Sequence, residues 1–115
     1  MGIVSLVILF SAPVIAQTSV ITATTLTSGG TYTDATSHST ASITPTANRL
    51  VLVAHTSKVA SGTPNQPTAS GNGLNYEVVR SVTFGTSRRV TLFKALGSSP
   101  TAGAITFNYG GQTNI

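Results

Sequence analysis

The feature that most constrains this chain is its punctuation. No stretch keeps an apolar period of 3.6 residues for three turns, and each β-rich run is cut short by a turn cluster. Val20 to Thr27 (VITATTLT) ends at Ser28-Gly29-Gly30, and a short run from Ser39 to Ile43 ends at Thr44-Pro45. Arg49 to Thr56 (RLVLVAHT) precedes a Pro- and Gly-rich loop from Ser61 to Gly73. Tyr76 to Phe84 (YEVVRSVTF) passes through Gly85-Thr86-Ser87 into Arg88 to Leu96 (RRVTLFKAL), the clearest hairpin in the sequence. After Gly97-Ser98-Ser99-Pro100, the run from Ala104 to Tyr109 alternates Ile105, Phe107 and Tyr109 with Thr106 and Asn108. The expectation is an all-β chain: a single β-sandwich or jelly-roll-like domain of about seven strands, with little or no helix.

Pattern within the runs predicts the core. Leu50 to Ala54 is apolar without alternation, as expected of a central strand covered on both faces. Tyr76, Val78, Val82 and Phe84 fall on one face, interrupted by Arg80, which suggests a bulge. Leu50, Leu52, Val82, Leu92, Ile105 and Phe107 are the expected core aliphatics and aromatics, and Phe84, Phe93 and Tyr109 occupy positions a core needs. Thr31 to His38 reads as a polar loop or irregular edge. Gly29-Gly30 and Gly71-Asn72-Gly73 read as turns that require positive φ.

The first sixteen residues, MGIVSLVILFSAPVIA, are the one continuous apolar block. They divide the chain into an N-terminal strand or arm (1–16) and a sandwich domain (17–115). Ile3, Val4, Leu6, Val7, Ile8, Leu9 and Phe10 would form a β-strand available for assembly. The alternative is a secretory signal cleaved after Val14-Ile15-Ala16, before Gln17. The absence of Lys or Arg ahead of the apolar run argues against it. Ser5, Ser11 and Pro13 break the block short of the roughly 18 apolar residues of a membrane-spanning helix.

Charged residues make up 7% of the chain, against about 25% in ordinary soluble domains. Ser and Thr replace them, a surface suited to packing against copies of itself or to life outside cells. The net charge of +4 reflects scarce acids, Asp34 and Glu77, more than abundant bases. Arg49, Lys58, Arg80, Arg88, Arg89 and Lys94 are spread over three predicted strands without interleaved aromatics, so no nucleic-acid partner is expected. There is no cysteine, hence neither disulfides nor thiolate metal sites.

Chemistry is hard to assemble from what remains. Nothing in the sequence brings Asp34 and Glu77 together as a carboxylate pair. Ser37, His38 and Asp34 crowd one loop without triad geometry, and no GxSxG elbow is present. His55 reads as partly buried and hydrogen-bonded. No catalytic, cofactor or metal residue is assigned, and no cofactor is expected. Sugar platforms favour exposed rings, and only Tyr32 and Tyr76 are candidates, so glycan recognition is a weak alternative.

Three segments carry a resemblance: ITPTANRLVLVA (Ile43 to Ala54), TASGNGLNYEVV (Thr68 to Val79) and FGTSRRVTLFKALGSSPTAGAITFNYGGQT (Phe84 to Thr113). They resemble a family of small β-sandwich modules of bacteriophage structural proteins and bacterial extracellular proteins. The shared residues are scaffold, and the resemblance implies no defined activity. Members of that family continue past Gly-Gly-Gln with a further aromatic-containing strand, while the present sequence runs to Ile115. A sandwich without that strand is expected to show a groove or an exposed edge, which Ile3 to Phe10 could fill in its own domain or in a neighbour's. The functional expectation is therefore a self-assembling, non-enzymatic structural protein of a phage virion (capsid decoration, tail or fibre). Its partners would be copies of itself or other subunits of the particle, with no membrane in the mature state. The alternative is a secreted, pilus-like subunit or cell-surface adhesion module.

Overall fold

The computed structural model describes residues 22–31 and 33–115. The expected assembly strand from Ile3 to Phe10, and Tyr32, lie outside the described residues.

The larger sheet grows from one hairpin. Gly85, at φ 63°, supplies the left-handed turn that joins β5 (Glu77–Phe84) to β6 (Arg88–Ala95). The other edge of β6 pairs with β2 (Val51–Lys58), in register from Val51↔Ala95 to Lys58↔Arg88, so the order is β2-β6-β5. The second sheet has the order β1-β7-β3-β4, built from β1 (Ser37–Ser39), β7 (Thr106–Asn108), β3 (Thr68–Gly71) and β4 (Leu74–Asn75). Every pairing is antiparallel. No helix occurs among the described residues.

The sheets pack face to face. Thr91, Phe93 and Ala95 of β6 turn inward, and Phe93 meets Phe107 of β7 with ring centroids 6.0 Å apart. Ile43, Val51, Val59, Ile105 and Tyr109 complete the buried cluster around that contact. The sandwich is thus the fold its turn spacing predicts, with strands β2, β5, β6 and β7 within a few residues of the expected runs.

The assignment of faces differs from expectation, for one main reason. A bulge between Val78 and Arg80 inserts Val79 as an extra residue in β5. Val78 lies opposite Phe93 on the inner face, but Arg80, Val82 and Phe84 are carried to the outer one. Val82 is accordingly 46% exposed and Phe84 71%. Among the described residues β2 is an edge strand, and no layer packs on the outer face of its sheet, so its uninterrupted apolar run has one uncovered side. Leu50 and Leu52 are both 60% exposed and Leu92 is only partly buried, so of the expected core Phe93, Ile105, Phe107 and Tyr109 are enclosed and Leu50, Leu52, Val82, Phe84 and Leu92 are not. From Thr22 to Thr27 no strand forms: a Thr-rich run has β propensity but needs a ladder partner, and none among the described residues supplies one. Conversely, the loop expected from Ser61 to Gly73 contains β3 and, with β4, a tight hairpin whose two central residues, Asn72 and Gly73, have φ 57° and 63°.

Asn72 does more than turn the chain. Its Nδ2 donates to Thr101 O (3.1 Å) and Gly103 O (2.8 Å), and its Oδ1 accepts from Tyr76 Oη at 3.1 Å. Tyr76 is therefore buried against the turn, not exposed as a possible sugar platform, and burial raises its phenol pKa. Asn72→Ala would orphan these buried groups and is expected to cost about 2–3 kcal/mol. Phe93→Ala should cost about 3–5 kcal/mol and Leu52→Ser less than about 0.5 kcal/mol. Urea denaturation of the three variants measures all of this; a Leu52 variant as damaged as the Phe93 variant would contradict the exposed face.

Candidate functional site

β6 occupies one edge of β2; among the described residues no strand pairs with the other. Exposed edges invite pairing, and most edges in this fold are blunted. β1 and β4 are three and two residues long, and β5 carries the bulge at Val79. β2 is eight residues long and pairs with β6 without a register shift or a proline. It is the one long, regular edge among the described residues.

Beside that edge the sandwich opens into a cleft of about 1890 Å³. The whole of β2 borders it, with Val53, His55 and Ser57 as its inward side chains; Ile105, Phe107 and Tyr109 form the floor, and Thr22 to Thr31 lines a further side. The period-two alternation of β2 turns residues 53, 55 and 57 inward together.

Polar residues are numerous along the cleft, Arg49, Lys58, Arg88, Arg89 and Asp34 among them, and its buried polar groups gather around His55. The His55 ring lies on Phe107 at 4.2 Å between centroids, and its Nε2 is 3.0 Å from Tyr109 Oη. Burial, helped by the nearby His38, lowers the His55 pKa to about 4, and burial pushes the Tyr109 phenol up to about 12. The His38 ring meets Tyr109 edge-on at 5.6 Å, and its Nε2 donates to Ile115 O at 3.1 Å. Two buried atoms, His55 Nδ1 and Ser57 Oγ, have no hydrogen-bond partner among the described residues. Leaving such groups unsatisfied costs about 1–3 kcal/mol each.

This constellation does not assemble a catalytic relay. His55 Nδ1 does not hydrogen-bond Ser57 Oγ, so the base does not engage the hydroxyl. Glu77 lies on the outside of the other sheet edge, 3.4 Å from Lys94 Nζ, away from Asp34 in the segment before β1. Among the described residues no three of His, Asp and Glu gather as metal ligands. Beside the cleft lie instead a backbone edge without a strand partner among the described residues and the two polar atoms named above.

His55 was legible in the sequence as a partly buried, hydrogen-bonded residue. Its partner Tyr109 and its neighbour Ser57 were not singled out, although alternation along β2 would have placed Ser57 on the same face. The seven assembly-strand residues, Ile3, Val4, Leu6, Val7, Ile8, Leu9 and Phe10, cannot be located against the cleft because they precede the described residues. No family model, curated protein or solved structure matches the chain, so the functional reading rests on this geometry.

The His55 environment makes stability depend on pH. In the unfolded chain this imidazole protonates below about pH 6.5, and in the fold only below about 4. Between those values the unfolded state binds the extra proton. Stability is therefore full above pH 6.5 and falls as the pH drops toward 4, by about 1–2 kcal/mol after screening of a partly exposed ring. Urea midpoints at pH 7 and pH 4 should show this loss, and His55→Gln should reduce it by that amount.

Proposed function

We propose that this chain is a non-enzymatic structural protein that assembles by strand addition, the apolar run from Ile3 to Phe10 of one copy entering the cleft of the next. The observation that carries the reading is the eight-residue edge of β2, unpaired among the described residues, beside a cleft with an aliphatic and aromatic floor and two buried polar atoms that lack a partner among those residues. The donor run is also eight residues, so acceptor and donor match at about 26 Å. Burying three or four of its aliphatic side chains contributes on the order of 5–10 kcal/mol before ordering costs.

Eleven residues separate Phe10 from Thr22 and span up to about 40 Å, enough to reach a neighbouring subunit. Head-to-tail donation closes a ring or extends a filament, according to the rotation between copies. A phage particle is the home we favour, as a decoration, tail or fibre subunit. The support is the scarcity of charge, the absence of cysteine and the resemblance of the segments from Ile43 to Thr113. A secreted pilus-like subunit would use the same edge, with a donor other than Ile3 to Phe10 if cleavage occurs before Gln17.

Deletion of residues 2–12 should leave a folded monomer by sedimentation velocity where the full chain assembles. Val53→Lys, which sets an ammonium in the cleft, should do the same with the donor run intact. Normal assembly of the deletion variant would end the proposal.

A further inference from the structure

The solvent face of the β2-β6-β5 sheet gathers what the sequence scatters. Its cross-strand rows read Lys58–Arg88–Phe84, Thr56–Val90–Val82, Ala54–Leu92–Arg80 and Leu52–Lys94–Glu77. Four of the six cations of the chain lie here against one acid, and that acid, Glu77, pairs with Lys94. Arg89, by contrast, turns inward and is held by Pro64 O and Ser81 Oγ. Lys58 and Arg88 stand directly opposite each other, an arrangement that destabilises a sheet in isolation. The Lys94–Glu77 contact is the only ion pair among the described residues. Between the cations Val82 and Val90 are about half exposed, and Leu50, Leu52 and Leu96 extend the apolar surface at one end. A shallow hollow of about 310 Å³ beside Leu50, Glu77, Lys94 and Leu96 has room for one aliphatic side chain.

Charge decides what can cover this face. A second copy laid against it would oppose eight cations with two acids. Residues 1–21 contain no acid, so the N-terminal run would leave the cations unmatched. Nucleic acid would match the charge but not the aliphatic centre, where Phe84 is the only ring. A bilayer is flat, whereas adjacent strands twist by about 20–25°, and no Trp or Tyr of the rows above anchors the face at a headgroup layer. An apolar centre with a charged rim is the anatomy of a protein interface. We infer that this sheet face docks a partner protein whose surface presents carboxylates around an aliphatic patch. Leu52, Ala54, Thr56, Lys58, Phe84, Arg88 and Val90 of these rows also border the cleft, whereas Arg80 and Val82 on β5 do not, which makes those two the residues that report on this face.

Selection of a phage-displayed library of random twelve-residue peptides against the full chain tests the inference. Enriched peptides should interleave Asp or Glu with Leu, Ile or Phe, weaken in high salt, and lose at least tenfold in affinity to the Arg80→Glu/Val82→Ser double variant. Both side chains are exposed, so the variant should keep the wild-type urea midpoint, and its assembly through the cleft should be unchanged. Peptides without acidic bias, or peptides indifferent to the double variant, would overturn the inference. So would binding to phosphatidylglycerol vesicles or to single-stranded DNA that is abolished by the same variant, by assigning the face to a membrane or to nucleic acid.

Discussion

The contact of Phe93 with Phe107 sets the orientation of nearly everything else. A strand has a side-chain period of two, so once Phe93 points into the sandwich, Thr91 and Ala95 follow it and Arg88, Val90, Leu92 and Lys94 must face out. Antiparallel registry passes that parity to β2, where Val51, Val53, His55 and Ser57 turn inward opposite Ala95, Phe93, Thr91 and Arg89. β5 inherits the same parity up to Val78 and then changes it through the bulge. The uncovered aliphatics of the outer face and the enclosed histidine of the cleft are thus two results of a single choice of which ring faces inward.

The same parity explains what could and could not be read from the sequence. The positions of β2, β5, β6 and β7 were legible because β-branched runs and Gly, Pro and Asn turns are local signals. Which face is buried is not local where apolar residues occupy consecutive positions, as at Leu50 to Ala54. A strand covered on both faces and an edge strand with a sticky outer side have the same composition there. Alternation was legible at Ile105, Phe107 and Tyr109, and those three are enclosed as expected. Arg80 marked the place of the bulge, yet assigning Val82 and Phe84 to the outer face required the register against β6. Strands β3 and β4 were missed because Ala69, Ser70 and Asn75 carry little β signal; the Asn72-Gly73 turn, which was read, is what pairs them.

The chemistry of the cleft was not legible in the sequence. Tyr109 is 54 residues from His55, and no spacing rule joins them. Their contact follows from the closure of β7 over β2, and its consequences are physical. An aromatic floor desolvates the imidazole, keeps it neutral across ordinary pH, and leaves Nδ1 without a partner among the described residues. The proposed strand addition draws on that neutral imidazole and its unpaired Nδ1.

The unequal edges of the β2-β6-β5 sheet bear on solubility at high local concentration. Unlimited ribbon growth, the route to cross-β aggregation, needs each added strand to expose an edge as competent as the one it covers, and it proceeds fastest from two sides. Here the bulge between Val78 and Arg80 distorts β5, which makes that side of the sheet a poorer template for lateral extension. Whatever adds to β2 lies at the end of a three-stranded sheet rather than within an endless one. A protein with long aliphatic strands, little charge repulsion and no disulfides thus carries a built-in brake on its most damaging form of self-association.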